Sequence, residues 1–272
     1  MNGAAIRAAS LFDPASGRCV VAAFDHGGSG MPRGGEDAPE RVAAIVAGGP
    51  DAVLLGQGLA RLSLRDFAAA GAPRLIIALD APVFSDRPGT TGAIRGHRRT
   101  ARADEALRDG ATAAKVVLPL GTGELFADSV ELVARAAREC QAAGLPLIVE
   151  PVLWGTEVPP SGAERDALIA HSTRAAWELG ADLVKIHAPE QVETLALITR
   201  SAPGPVLVLG GAPTDTATFL RAADAWIRAG ARGIAAGRNV WSRRDPRAAI
   251  AGLRRVVHDR DLAGALRMPE QP

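Results

Sequence analysis

No tyrosine occurs anywhere in the 272 residues, and aromatic residues make up only 4%. A phenol is therefore excluded as a proton donor. Nor is any basic cluster interleaved with aromatics, which argues against a nucleic-acid partner. Cysteine is almost as scarce. Cys19 and Cys140 are the two, and their spacing is not that of metal ligands. That excludes a disulfide-framework module and suits a reducing, cytoplasmic compartment. Charge of one sign is lacking too, the formal net charge being +1. No apolar run reaches the roughly 18 residues of a membrane span. Residues 1–10 carry no stretch resembling a secretion signal. A membrane partner is therefore not expected. The most telling shortage is lysine. Of 31 basic residues only Lys115 and Lys185 are lysines; all the others are arginine.

What is present is a large apolar fraction, 47%, punctuated by 30 glycines and 19 prolines. Eight short, almost continuously apolar runs stand at 19–24, 51–55, 74–79, 113–118, 146–150, 182–186, 206–209 and 233–236. Such runs suit parallel strands buried on both faces. Between them lie Ala-, Leu- and Arg-rich stretches of helical period, at 124–143, 165–179, 216–229 and 246–257. Thr214 or Asp215 can cap one of these helices, and Gly144, Gly180 and Gly230 can end others. Strands alternating with helices imply a parallel sheet, and eight units in this length imply a closed (β/α)8 TIM barrel. The expected organisation is a single domain, 1–272, with the barrel at about 18–258 and a weakly ordered tail at about 259–272. An open doubly wound sheet is the alternative. However, the run from His26 to Gly34 does not continue into a helix as a dinucleotide-binding G-x-G-x-x-G would. The longest irregular stretch, about 80–100, reads as a lid or binding loop.

Barrels of this type place their chemistry at the carboxyl ends of the strands. Those ends bring Asp25 and His26, Gln57, Asp80, Lys115, Glu150, Lys185 with His187, Gly210 with Gly211, and Gly237 with Arg238 onto one rim. A lysine in a tight core loses hydration, and its neutral amine attacks carbonyls. Lys185 is thus the candidate nucleophile for imine chemistry, with Asp25, Glu150 or Lys115 moving protons. Lys115 beside Lys185 would help keep it neutral by repulsion, and Lys115 with Glu150 reads equally as a buried ion pair. Gly210, Gly211, Gly237 and Arg238, on the loops after the last two strands, suit a phosphate dianion. The expected partner is therefore a phosphorylated small molecule, and no cofactor is required. A metal-dependent lyase using Asp25, His26 and His187 is the alternative, but no local histidine spacing supports it. A non-catalytic sugar-phosphate-binding barrel is a further one.

The segments 11–18 and 21–27 with Asp25-His26-Gly27, together with 56–61, 178–185, 210–213 and 229–239, resemble in order the DhnA-type class I fructose-bisphosphate aldolase family, within the DeoC/LacD-like aldolase superfamily. The resemblance spans almost the whole chain. It implies a (β/α)8 barrel and a homo-oligomer, with Lys185 as the Schiff-base lysine and Asp25 as the carboxylate after the first strand. It also implies phosphate loops at Gly210, Gly211, Gly237 and Arg238. The fructose-bisphosphate branch uses a tyrosine after strand five, which this chain lacks. The run Glu150-Pro151-Val152-Leu153-Trp154 is more similar to the tagatose-bisphosphate and sulfosugar-phosphate branch. There a strand-four lysine and a strand-five glutamate accompany the imine lysine, which Lys115 and Glu150 match. The resemblance thus implies a class I, metal-independent aldolase acting on a ketose phosphate, or a synthase joining dihydroxyacetone phosphate to a non-sugar aldehyde. The segment 86–95 matches no branch and reads as a substrate-specific lid.

Overall fold

A computed structural model describes residues 3–28, 35–84 and 94–268. Eight parallel strands close into a barrel: β1 (Cys19–Phe24), β2 (Ala52–Gly56), β3 (Arg74–Ala78), β4 (Ala113–Leu120), β5 (Leu147–Leu153), β6 (Leu183–Ile186), β7 (Val206–Leu209) and β8 (Gly233–Ala236). Each strand pairs with the next, and β8 pairs back onto β1 with Cys19 opposite Gly233. The eight apolar runs are these eight strands, in a (β/α)8 barrel. They read as continuously apolar because both faces are buried. Val20, Ala22 and Phe24 pack outward against the helices, whereas Cys19, Val21 and Ala23 pack inward with Leu54, Ile76, Ile148, Leu183 and Leu207. Leu11, fully buried, closes the amino-terminal end of this inner cluster with help from Ala8 and Phe12.

Two strands run longer than the apolar pattern suggests. β4 and β5 stay paired up to Leu120 and Leu153, beyond the reach of their neighbours. Lys115 and Glu150 therefore sit inside the barrel, several residues below the ends of their strands. The stretch expected to be irregular at about 80–100 is irregular neither at its start nor at its finish. Asp80–Val83 and Gly96–Arg99 form an antiparallel ribbon, with Asp80 opposite Arg99. The lid expected at 86–95 lies mostly outside the described residues, as do residues 29–34 of the glycine-rich stretch after β1.

At the amino-terminal end of the barrel Asp51 ties three segments together. Its Oδ2 accepts from the Val20 amide at 2.6 Å and meets His258 Nε2 at 2.9 Å, while Arg254 donates to Oδ1 at 2.9 Å. The other nitrogen of His258 stands 2.8 Å from Ser16 Oγ. Burial pushes the Asp51 carboxyl up, but the bonds from His258 and the Val20 amide outweigh it and leave it below the usual carboxylate value. A depressed folded value stabilises above the unfolded pKa, about 3.9, and that contribution is lost as pH falls. We therefore expect the Asp51→Asn variant to be less stable than the wild type at pH 7, and the gap in urea midpoints to narrow towards pH 3. An equal gap at both pH values would refute this.

Beyond residue 258 a short helix, Leu262–Leu266, is capped by Asp261, whose side chain accepts from the Gly264 amide at 2.7 Å, and Ala265 is buried. Among the described residues no helix is long and apolar enough to cross a membrane.

Candidate active site

Strand alternation builds the site. On β6, Val184 and Ile186 face the helices and Leu183 faces the barrel axis; Lys185 therefore faces the axis as well. The same period turns Lys115 and Val117 of β4 and Ile148 and Glu150 of β5 inward. The charged layer rests on apolar residues and roofs them. Lys185 Nζ stands 2.9 Å from Glu150 Oε2, and Lys115 Nζ stands 3.2 Å from the same oxygen. Lys115 also reaches Asp25 Oδ2 at 2.7 Å. All four side chains are at least nine-tenths buried. Glu150 thus stands between the two lysine side chains. The direct repulsion expected between Lys115 and Lys185 is replaced by a shared carboxylate.

The electrostatics follow from this arrangement. Burial pushes the Asp25 carboxyl up, but Lys115 and then Lys185 outweigh it and hold it well below the usual range. Glu150 is held low by the same two lysines against the same burial. Burial lowers Lys115, yet Asp25, Glu150 and Asp80 together raise it above the ordinary lysine value. Lys115 is therefore an ammonium locked between carboxylates. His26 lies 3.8 Å from Asp25 through Nδ1, and burial leaves it below the ordinary histidine value.

These groups line a cavity of about 350 Å³. Gly210, Gly211, Gly237 and Arg238 line it as well, on the β7–β8 side. Asn239 holds the two loops in register. Its Nδ2 donates to the carbonyls of Gly210 and Ala212 at 2.8 and 2.9 Å, and its Oδ1 accepts from the Thr214 amide at 3.0 Å. A side chain at position 237 would press against His26 Cε1 and the Ala23 carbonyl, at 3.2 and 3.3 Å, which is why glycine stands there. The Gly210 amide is already committed to the Ala235 carbonyl at 3.0 Å. Gly210 therefore serves the cavity by being small, not by donating its amide. Gly211, at φ +71°, turns the chain away from the barrel.

On the opposite side the wall is apolar. Pro82, Val152 and Trp154 line it, and Phe84 backs Trp154 edge-on at 5.0 Å between ring centroids. Behind Lys115, the Asp80 carboxylate is fully enclosed. Its Oδ2 accepts from the Val117 amide at 2.6 Å and meets His97 Nε2 at 2.7 Å; His97 Nδ1 meets Ser129 Oγ at 3.0 Å. This chain pins the ribbon to β4 and to the helix Leu125–Ala143. Removing His97 leaves a buried carboxylate short of a partner, which costs about 3 kcal/mol. The His97→Ala variant is expected to melt roughly 6–12 °C lower, and Ser129→Ala to lose far less. Differential scanning calorimetry of the two variants checks this ranking.

The structure therefore gathers Asp25, His26, Lys115, Glu150, Lys185, Gly210, Gly211, Gly237 and Arg238 around one cavity. Gln57 is not among its lining residues; its side chain donates to Asp109 at 2.8 Å. His97 and Asn239 were not singled out from the sequence. The Gly237-Arg238-Asn239 run was a signal for the second, whereas the first sits in a stretch without periodicity. Among the described residues, no group of three or more His, Cys, Asp or Glu side chains is placed to hold a metal ion. The Asp25, His26 and His187 alternative thus lacks a ligand set there.

Comparison with known proteins places the chain among aldolases. Residues 19–243 match the family model described as DeoC/LacD family aldolase. An uncharacterised aldolase of Saccharolobus solfataricus is 33% identical over 98% of this chain and 99% of its own length. A 2-amino-4,5-dihydroxy-6-oxo-7-(phosphonooxy)heptanoate synthase of Streptomyces griseus is 37% identical over 61% of this chain and 60% of its own. Among solved structures, a Schiff-base-forming fructose-1,6-bisphosphate aldolase superposes with a TM-score of 0.77 at 29% identity, covering 93% of this chain and 98% of that one.

Proposed function

This chain belongs to the DeoC/LacD family of aldolases, and on that premise we propose that it cleaves or forms a ketose phosphate through an imine on Lys185. The observation that carries the proposal is the setting of that lysine. It is buried on the floor of a cavity, with one carboxylate 2.9 Å from its Nζ and glycine loops with Arg238 across the opening. Glu150 is placed to take the proton that Lys185 must lose before it attacks the carbonyl. The same carboxyl group returns that proton to the carbinolamine hydroxyl as it leaves as water. Asp25 and the locked ammonium of Lys115 hold substrate hydroxyls. The phosphate lies against Gly211, Gly237 and Arg238.

The test is borohydride reduction in the presence of dihydroxyacetone phosphate or a ketose phosphate, followed by intact mass and peptide mapping. A stable adduct on Lys185 is the expected result. No adduct with any ketose phosphate, together with turnover that a chelator abolishes, refutes the proposal.

A second reading concerns the aldehyde partner. The wall of Pro82, Val152, Trp154 and Phe84 offers few polar groups to a polyhydroxylated aldehyde and suits a less polar, non-sugar one. The Streptomyces griseus relative is itself named a synthase, which agrees with condensation as the working direction. Rates with matched sugar and non-sugar aldehydes, each with dihydroxyacetone phosphate, decide between the two.

A further inference from the structure

A histidine just past the end of the imine strand has no task in the scheme above. Leu183 packs towards the barrel axis, Val184 and Ile186 away from it. The alternation turns His187, like Lys185, towards the mouth, and His187 lines the same cavity. Its Nε2 is buried and, among the described residues, has no hydrogen-bond partner. It stands just past the end of β6, between the apolar wall carried by β5 and the phosphate loops after β7 and β8. A substrate whose phosphate lies on those loops and whose carbonyl is joined to Lys185 extends its departing half towards the wall, past His187.

We propose that His187 Nε2 is the proton carrier of the carbon–carbon bond step. The assignment rests on the imine reading above. In the cleavage direction, the iminium on Lys185 accepts the electron pair of the breaking bond. The hydroxyl on the departing carbon gives its proton to Nε2, and the aldehyde leaves. The resulting enamine then takes that proton back at carbon, restoring the iminium, and water releases the ketone phosphate and free Lys185. Condensation is the reverse. One proton leaves and one returns, and no co-reactant other than water enters.

The other ionisable groups are poorly suited to that cycle. Asp25 and Glu150 are held as carboxylates by the two lysines, and Lys115 is held as an ammonium by Asp25 and Glu150. Asp25 and Lys115 are each fixed in one state by the other, and Glu150 is engaged with the Lys185 proton. His26 lies beside Gly237, on the phosphate side of the mouth. Among the described residues His187 has no such partner. Burial lowers its pKa to about 4; Glu150 opposes the shift and Arg165 and Lys185 add to it, leaving the free base at neutral pH. A bound phosphate dianion adds negative charge to the same cavity and favours the imidazolium when it forms.

The test separates imine formation from proton transfer. The wild type and the His187→Gln and His187→Asn variants are incubated with dihydroxyacetone phosphate in D2O. Exchange of the carbon-bound hydrogen is followed by NMR, and parallel samples are reduced with borohydride. The variants are expected to keep the Lys185 adduct while losing exchange by about 10²–10⁴-fold. Exchange within about threefold of wild type in either variant overturns the proposal. So does loss of the adduct in variants that still melt cooperatively, since His187 would then act in imine formation. A wild type that forms no adduct removes this proposal together with the imine reading. A wild type that forms one beside variants with normal exchange removes this proposal alone.

Discussion

Lys185→Arg is expected to lose the borohydride-trapped adduct completely and to lower kcat at least about 10⁴-fold, whereas Lys115→Met keeps an adduct that still maps to position 185. The two lysines share a carboxylate, so proximity alone does not say which of them attacks. Their surroundings do. Lys115 has Asp25 at 2.7 Å and Glu150 at 3.2 Å, with Asp80 behind it, and is held charged. A nucleophile must give up its proton, and Lys115 would have to do so against three carboxylates. Among the described residues Lys185 pairs with one carboxylate, that of Glu150, which can receive its proton. Arginine preserves the positive charge at position 185 but cannot supply a neutral amine, so it isolates nucleophilicity from charge. Losing a covalent intermediate removes about 5 kcal/mol or more of transition-state stabilisation, which is the 10⁴-fold expected. An adduct that maps to Lys115 in the wild type would reverse the assignment.

Glu150→Gln is the second large effect, and it acts on stability and chemistry together. Glutamine keeps the shape but removes the negative charge between two buried lysines. Breaking a buried ion pair in this way costs about 3–5 kcal/mol, because the partners remain desolvated. For a domain of this size that lowers the melting temperature by roughly 6–20 °C. Adduct formation is expected to slow by about 10²–10³-fold as well, because the acceptor beside Nζ is lost. If Glu150 were only a structural tie, borohydride trapping measured well below the lowered melting point would proceed at the wild-type rate. Calorimetry and a time course of trapping on the same sample separate these outcomes.

Much of this was legible in the chain. Strands buried on both faces leave continuous apolar runs, and an ionisable residue inside such a run is conspicuous. That is how Lys115, Glu150 and Lys185 stand out. What the pattern hides is where a strand ends. Pro119 and Pro151 fall inside β4 and β5, and proline ordinarily marks the end of a ladder. Here Leu118 lies opposite Pro151 and Pro119 opposite Val152, and pairing continues past both. The charged layer of Lys115 and Glu150 therefore lies deeper than the strand-end reading placed it. His97 was invisible for another reason. Its partners Asp80 and Ser129 stand 17 and 32 residues away, the first brought in by the antiparallel ribbon and the second by the helix Leu125–Ala143. The short helix at Leu262–Leu266 has too few turns to show a period, although Asp261 is a fair capping signal.

The closure of β8 onto β1 also bears on how the chain reaches this structure. Cys19 has no partner on that side until Gly233 is available, and Asp51 lacks His258 until later still. During synthesis β1 therefore waits as an open sheet edge for most of the time the ribosome is at work. Contacts so distant along the chain form slowly, because the intervening loop must first be ordered. The nascent barrel depends on its last strand, and nascent chains that end before residue 233 are the species most exposed to edge-to-edge association.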